Sequence, residues 1–210
     1  MQSVAHHDYC SCLTPFGGRM QGFRVNTTRR LAMAEMTAEQ AHALLHNFFL
    51  GTMKNESRTT KKILEAVPAD KASYQPDACA KSAIELARHI AVADNFFIES
   101  VLNGAFNPGS VTIPENVKTP AEIATWYEQT YAKNFDALTK ATGDQLIKII
   151  DFRGLFQQPA ILFLQFGLVH AIHHRGQLST YLRPMGSKVP AIYGESYDSA
   201  LAKKAAQAQA

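Results

Sequence analysis

Two histidines four residues apart, His170 and His174, lie in an apolar stretch near the C-terminal end of the sequence and have the spacing of metal ligands. At about 100° per residue they are about 40° apart on a helix, so both imidazoles project from one face. An i, i+4 pair of this kind lets one helix give two nitrogen ligands to one ion. His173 is about 60° from His170, and spacing alone leaves it as a competing ligand.

A third histidine, His89, lies on the apolar face of a separate predicted helix. Leu86, His89 and Ala93 follow the 3–4 spacing of one helix face, so His89 is expected to point toward the core. A buried imidazole needs a partner, but a single core histidine is more often hydrogen-bonded than metal-bound. Ala93 and Gly167 are small, and we expect them to leave room near the histidines.

Helix start and stop signals divide most of the chain into four long helices. Thr37 with Gln40, and Thr119 with Glu122, have the spacing of capping boxes, while Gly104 is typical of a helix C-terminus. The predicted helices run from Thr37 to before Pro68, from Asp77 to Asn103, from Thr119 to about Thr142, and from Pro159 to Arg183.

The predicted fold is all-α, a four-helix bundle. A short strand or hairpin around Arg153-Gly154 is expected before the last helix, because residues 146–156 are rich in β-branched and aromatic side chains. The predicted organisation is a flexible N-terminal extension (1–35), the bundle (36–200) and a C-terminal tail (201–210).

Charge and cysteine content exclude several classes of protein. Of the 21 basic and 18 acidic residues, four and one lie in residues 1–30, so the remaining 180 residues carry 17 of each. A balanced core disfavours nucleic-acid binding, which needs a basic face. The apolar runs are too short to span a membrane. Three cysteines do not make a disulfide framework and favour the cytoplasm.

Several motifs resemble those of the DinB family. The most specific is a histidine-rich string near the C-terminus, which is followed by a Tyr-Leu-Arg segment and a Val-Pro…Tyr-Gly segment. The matching residues are His170-Ala171-Ile172-His173-His174-Arg175-Gly176-Gln177, Tyr181-Leu182-Arg183, Val189-Pro190, Tyr193-Gly194, Leu86-Ala87-Arg88-His89-Ile90, Phe96-Phe97, Gly104, Glu56-Ser57-Arg58-Thr59-Thr60 and Leu64-Glu65-Ala66-Val67-Pro68.

The resemblance implies a four-helix bundle with a long crossover connection and a three-histidine site for one divalent metal ion. Histidine-only sites accept several ions according to availability and geometry, and zinc or nickel is expected ahead of iron or manganese. It assigns His89, His170 and His174 as the ligands and leaves His173 outside. It also implies a homodimer, a low-molecular-weight thiol as a possible cofactor, and a role in the stress response, since the family name refers to DNA-damage induction.

An ion held by three imidazoles keeps a position open for water, a thiol or a substrate. The predicted function is therefore a metal-dependent hydrolase or thiol S-transferase that acts on a small molecule. Glu56 is the predicted general base, although a solvated surface glutamate is an equal reading. Gln177 and Arg175 are the predicted cofactor-binding residues. The alternative function is a non-catalytic metal- or ligand-binding stress protein, with a sealed site.

Overall fold

The computed structural model describes residues 36–209, so the predicted N-terminal extension lies outside the described part. Most of this part is helical, with one small hairpin. The elements in chain order are α1 (Ala38–Leu44), a π-helical segment (Leu45–Phe49), α2 (Leu50–Glu65), a 3-10 turn (Ala69–Lys71), α3 (Ala83–Asn103), α4 (Pro120–Leu138), α5 (Gly143–Ile147), β1 (Ile149–Phe152), β2 (Phe156–Pro159), α6 (Leu162–Leu182) and α7 (Tyr197–Gln207).

The helix caps that the sequence marks most strongly are confirmed. Thr37 and Thr119 each accept a hydrogen bond from the backbone N–H three residues on, and Gln40 and Glu122 accept from the backbone N–H of the capping threonines. Gly104 ends α3 with a φ of 63°, a left-handed conformation that glycine adopts without steric cost. These local signals fix where three of the four predicted helices begin or end.

Three predicted boundaries are wrong, each for a local reason. Asp77 does not cap α3, because its carboxylate accepts from the nearby N–H groups of Cys79 and Ala80 in a turn, and Ser82 caps the helix instead. The third helix ends at Leu138, and Thr142 caps α5 as a new helix. Pro159 ends β2 and does not open α6.

The four long helices pack as a bundle in which consecutive helices are not always neighbours. α2 packs against α4 and α6, and α3 packs against the same two helices. The chain therefore crosses the bundle between α2 and α3, and again between α4 and α6. This second crossover contains α5 and the hairpin. It is the long crossover connection that the predicted fold requires.

The predicted hairpin is present between α5 and α6. β1 and β2 pair antiparallel, with Phe152 opposite Phe156. Arg153 and Gly154 both have positive φ, at 57° and 73°, as in the turns whose twist suits a hairpin. The Asp151 carboxylate accepts a hydrogen bond from the Gly154 N–H at 2.7 Å, which stabilises the turn.

No helix within residues 36–209 is long and apolar enough to cross a bilayer.

α7 extends across the predicted boundary between residues 200 and 201. Arg183 pairs with Asp198 of this helix at 3.1 Å. The division of the chain into extension, bundle and tail stays a prediction.

α6 approaches α3 closely at Gly167, and this contact generates a stability prediction. A Cβ at Gly167 would lie 2.9 Å from Cβ of Phe97, whereas one at Gly176 on the same helix would meet nothing within 4 Å. We expect Gly167→Ala to lower the free energy of unfolding by about 1–3 kcal/mol through overpacking. The matched Gly176→Ala should raise it by up to about 1 kcal/mol, because alanine favours the helix.

Urea denaturation of the two variants measures both changes. Equal effects of the two substitutions would show that the contact between α6 and Phe97 is not tight.

Candidate metal centre

The three predicted ligands come together where α3 packs against α6. His89 and His170 place their Nε2 atoms 3.2 Å apart, and the ring centroids of His89 and His174 are 4.5 Å apart. One ligand atom from each of the three residues lies within 4.8 Å of the other two. Two stretches of chain 81 residues apart therefore meet at one cluster of nitrogen donors.

The spacing of these donors fits a divalent ion. With metal–nitrogen bonds of about 2.0–2.1 Å and tetrahedral geometry, two imidazole nitrogens on one ion are about 3.3 Å apart. The 3.2 Å between His89 and His170 is close to that separation, and the donor of His174 lies within 4.8 Å of both. The cluster thus offers donors for three of the four positions around an ion such as Zn²⁺.

Gln177 sets the tautomer of His174. The Gln177 Oε1 atom lies 3.1 Å from His174 Nδ1, and a carbonyl oxygen can only accept, so Nδ1 carries the proton. The Nε2 lone pair of His174 is then free for a metal. The Tyr181 hydroxyl lies 3.4 Å from Gln177 Nε2, so the amide is held from both ends. Such outer partners orient ligands and raise their basicity.

Burial keeps the imidazoles neutral. Burial, with a smaller contribution from the nearby His174, lowers the pKa of His89 to about 4 and that of His170 to about 3. The pKa of His174 is also lowered by burial, against the opposing hydrogen bond with Gln177. Metal ligation needs the neutral form, so all three rings are ready to bind near neutral pH.

The structure separates the two histidines that spacing left as competitors. His174 is 6% exposed and belongs to the cluster, whereas His173 is exposed and outside it. The expected free room beside Gly167 is filled, because the Phe97 ring packs against the glycine and lies 5.7 Å from the His170 ring. The small residue serves close packing of the two helices at the site.

The other predicted site residues, Glu56 and Arg175, form a buried ion pair between α2 and α6. The Arg175 side chain is 1% exposed, and its Nη2 lies 2.5 Å from the Glu56 carboxylate. It also donates to the Glu56 backbone carbonyl, to the Thr60 hydroxyl and to the Tyr193 hydroxyl. The guanidinium is buried and both of its terminal nitrogens are hydrogen-bonded, so the geometry supports a structural role for Arg175.

These contacts do not test whether Glu56 acts as a general base or whether Arg175 holds a cofactor. Both stay predictions. The Glu56 carboxylate has two partners in place, since the Tyr193 hydroxyl also donates to it at 2.9 Å. Any proton that Glu56 accepted would weaken its pairing with the buried Arg175.

Sequence reasoning missed two residues with polar contacts near this ion pair. One is Tyr193, which the sequence places only within a motif; its side chain is exposed, but its hydroxyl bonds to both Arg175 and Glu56. The other is Asp94, whose carboxylate accepts a hydrogen bond from Tyr127 at 2.5 Å in the core. Burial raises the pKa of Asp94 to about 6, against the opposing hydrogen bond from Tyr127. The signal that could have identified Asp94 is the presence of an acidic residue inside the apolar run 90–98.

Comparisons with known proteins agree with this architecture. The model of the DinB family matches residues 38–206. A curated relative, the uncharacterized protein YjoA of Bacillus subtilis (strain 168), is 30% identical over 131 residues, which is 60% of this chain and 82% of that protein.

Two crystal structures have a similar fold. A DinB-like protein from Bacillus subtilis, YjoA, gives a TM-score of 0.59 at 25% identity, over 70% of this chain and 99% of that one. A DinB-like protein from Bacillus cereus ATCC 10987 gives 0.58 at 24% identity, over 76% and 99%.

The first prediction from the site is that metal binding depends on His174 and not on its neighbour. His174→Ala removes a donor from the cluster, and we expect it to lower the zinc content of protein purified without a histidine tag by at least about tenfold, as loss of a ligand does. His173→Ala is the matched control and should keep the wild-type content. Elemental analysis measures both. Equal zinc in the two variants would contradict the ligand assignment.

The second prediction concerns the metal-free protein at acidic pH. Unfolded imidazoles take up protons below pH about 6.5, while those of His89 and His170 stay neutral until about pH 4 and 3. The unfolded state therefore binds more protons, and stability falls as pH drops through this window. Urea denaturation at pH 7 and pH 5 should give a steeper loss for wild type than for the variant with glutamine at positions 89, 170 and 174.

The buried Asp94 titrates in the same window with the opposite sign, since its pKa is raised. It is present in both proteins, so the difference between them isolates the histidines. Parallel pH dependences would mean that the rings are protonated as easily in the folded protein as in the unfolded chain.

Proposed function

Because the chain belongs to the DinB family, we propose that His89, His170 and His174 hold one divalent metal ion that activates a small thiol for transfer to an electrophile. The observation that carries this proposal is the cluster itself, with three neutral nitrogen donors within 4.8 Å at the contact of α3 and α6. Zinc and nickel are the favoured ions, and iron is accepted by the same donor type, whereas manganese prefers oxygen ligands.

An open coordination position is supported by the ligand count and by exposure. Three protein donors leave at least one position of a tetrahedral ion for another ligand. His89 and His170 are only half-buried, whereas His174 is buried. The side of the cluster formed by His89 and His170 is therefore partly exposed, and we propose that a small molecule enters there. This favours a working site over the sealed one expected of a purely structural metal.

A bound divalent ion supplies one piece of chemistry, which is to lower the pKa of a thiol or water in its open position. The protein's own groups hold the three ring nitrogens in place and keep them deprotonated, with Gln177 fixing the tautomer of His174. In the proposed reaction the thiol sulfur forms a bond to an electrophilic carbon as the bond to the leaving group breaks. The thiol proton passes to solvent.

Thiol transfer is favoured over hydrolysis by the state of Glu56. Hydrolysis needs a general base within reach of the attacking water. The predicted base is engaged by Arg175 at 2.5 Å and by Tyr193 at 2.9 Å. A thiol with a lowered pKa loses its proton to solvent near neutral pH and needs no such base. Thiol transfer, which does not need Glu56 as a general base, is therefore preferred.

The proposal is tested with cobalt-loaded protein and 2-mercaptoethanol. We expect the thiol to produce a sulfur-to-cobalt charge-transfer band in the near ultraviolet and to release about one proton per site at pH 7. The loaded protein should also accelerate formation of the thioether from 1-chloro-2,4-dinitrobenzene, with release of chloride. His174→Ala should abolish all three signals, and His173→Ala should retain them.

The possible results separate the competing functions. Cobalt binding without any effect of thiol contradicts thiol transfer and leaves either the hydrolase or the non-catalytic binding protein. Thiol binding without acceleration of thioether formation contradicts an S-transferase with this type of electrophile. Loss of the signals in His173→Ala with retention in His174→Ala would overturn the ligand assignment.

A further inference from the structure

The metal centre lies between two chemically different ends of α6. Toward the C-terminal end the neighbours of His174 are polar, namely Gln177 and the Tyr181 hydroxyl. Toward the N-terminal end the neighbour of His170 is the Phe97 ring, 5.7 Å away. A ligand seated at the cluster therefore meets polar groups on one side and aromatic rings on the other.

The aromatic side is one continuous group of rings, which we name the phenylalanine cluster. Its members join three parts of the fold: α3 with the loop that follows it, the hairpin, and the first turns of α6. Centroids of neighbouring rings lie 4.8–6.4 Å apart. The cluster consists of Phe96, Phe97, Phe106, Phe152, Phe156, Phe163 and Phe166.

Two rings of the phenylalanine cluster face solvent, whereas the other rings are more deeply buried. Phe163 and Phe97 are 0% and 6% exposed, whereas Phe166 and Phe156 are 38% and 39% exposed. Phe166 is four residues before His170, so it lies one turn away on the same face of α6. Its ring touches that of Phe97 at 5.4 Å, and Phe97 in turn touches His170.

The two exposed rings are held rigidly. Phe156 stacks on Phe163 at 5.9 Å with the ring planes 17° apart, and it pairs across the hairpin with Phe152. Phe166 is packed against both Phe97 and Phe152 at 5.4 Å. Rings fixed in this way lose little conformational entropy when a ligand covers them, as in a pre-organised binding surface. Their exposure in the free protein is unfavourable, and a ligand offsets it.

We infer that Phe156 and Phe166 form a subsite for an aromatic or other flat apolar group, carried by the ligand whose head occupies the open position at the histidines. The inference rests on the proposed function, because the head group ties the ligand to the metal centre. The occupant follows from continuity: Phe166 joins the His170 ring through the single intervening ring of Phe97, and Phe156 joins Phe166 directly. The hairpin in the crossover then has a role, since it supplies one of the two rings.

The test compares two thiols that differ only by a phenyl group, ethanethiol and 2-phenylethanethiol. Each is titrated into cobalt-loaded protein, and binding is followed by the visible absorption of the ion. Wild type should bind 2-phenylethanethiol at least about tenfold more tightly than ethanethiol. Phe166→Ala should reduce this ratio about fivefold or more and leave ethanethiol binding unchanged. Phe166→Leu, which keeps an apolar side chain in the packing, should reduce it less.

Phe48→Ala is the matched control, because Phe48 is 51% exposed on the π-helical segment, outside the phenylalanine cluster. It should leave the ratio at the wild-type value. An unchanged ratio in both Phe166 variants overturns the inference. A second result would also overturn the inference: sedimentation shows that wild type is a dimer, and Phe166→Ala dissociates the dimer without changing the ratio. The exposed rings would then be a contact between copies.

Failure of the subsite differs from failure of the proposed function. If ethanethiol binds the loaded protein and the phenyl group adds nothing, only the subsite is wrong. If cobalt does not bind, or neither thiol binds, both the proposed function and the subsite that rests on it are overturned.

Discussion

The contact between α3 and α6 is the constraint on which the rest of the structure depends. It brings His89 to within 3.2 Å of His170, across 81 residues of sequence. Each helix alone offers at most two donors, and an ion needs more. Gly167 makes the close approach possible, because any side chain there would meet the Phe97 ring. Helix packing thus creates the site, and the caps and crossovers serve to align the two helices.

Two adjacent residues of α6 make contacts on different sides of the helix, and these contacts fix its rotation about its own axis. His174 faces α3 and the ion site, while Arg175, one residue on, reaches Glu56 and Thr60 of α2. Removing one member of a buried ion pair leaves an unpaired charge that costs about 3–5 kcal/mol. The pair therefore resists any turning of α6 that would move His174 away from the cluster. Tyr193 adds a bond from the C-terminal segment to the same guanidinium.

Much of the fold follows from local sequence signals, but the site depends on long-range packing. The capping boxes at Thr37 and Thr119 and the glycine at 104 set helix ends through short-range hydrogen bonds and backbone conformation, so sequence alone predicts them. Asp77 misled the prediction because aspartate bonds to nearby backbone equally well in a turn. Spacing alone predicts that His170 and His174 share one helix face, whereas the assignment of His89 as the third ligand rests on the family resemblance. The burial of Arg175 depends on a partner 119 residues away, which no periodicity reveals.

The claim that three imidazoles share one ion is tested most directly by X-ray absorption spectroscopy at the zinc edge of the loaded protein. We expect a first shell containing three nitrogen donors at about 2.0–2.1 Å with the multiple-scattering pattern of imidazole. We also expect one further light donor that is replaced by sulfur at about 2.3 Å when thiol is added. A first shell with fewer than three imidazoles, or an all-oxygen shell, would contradict a shared three-histidine site.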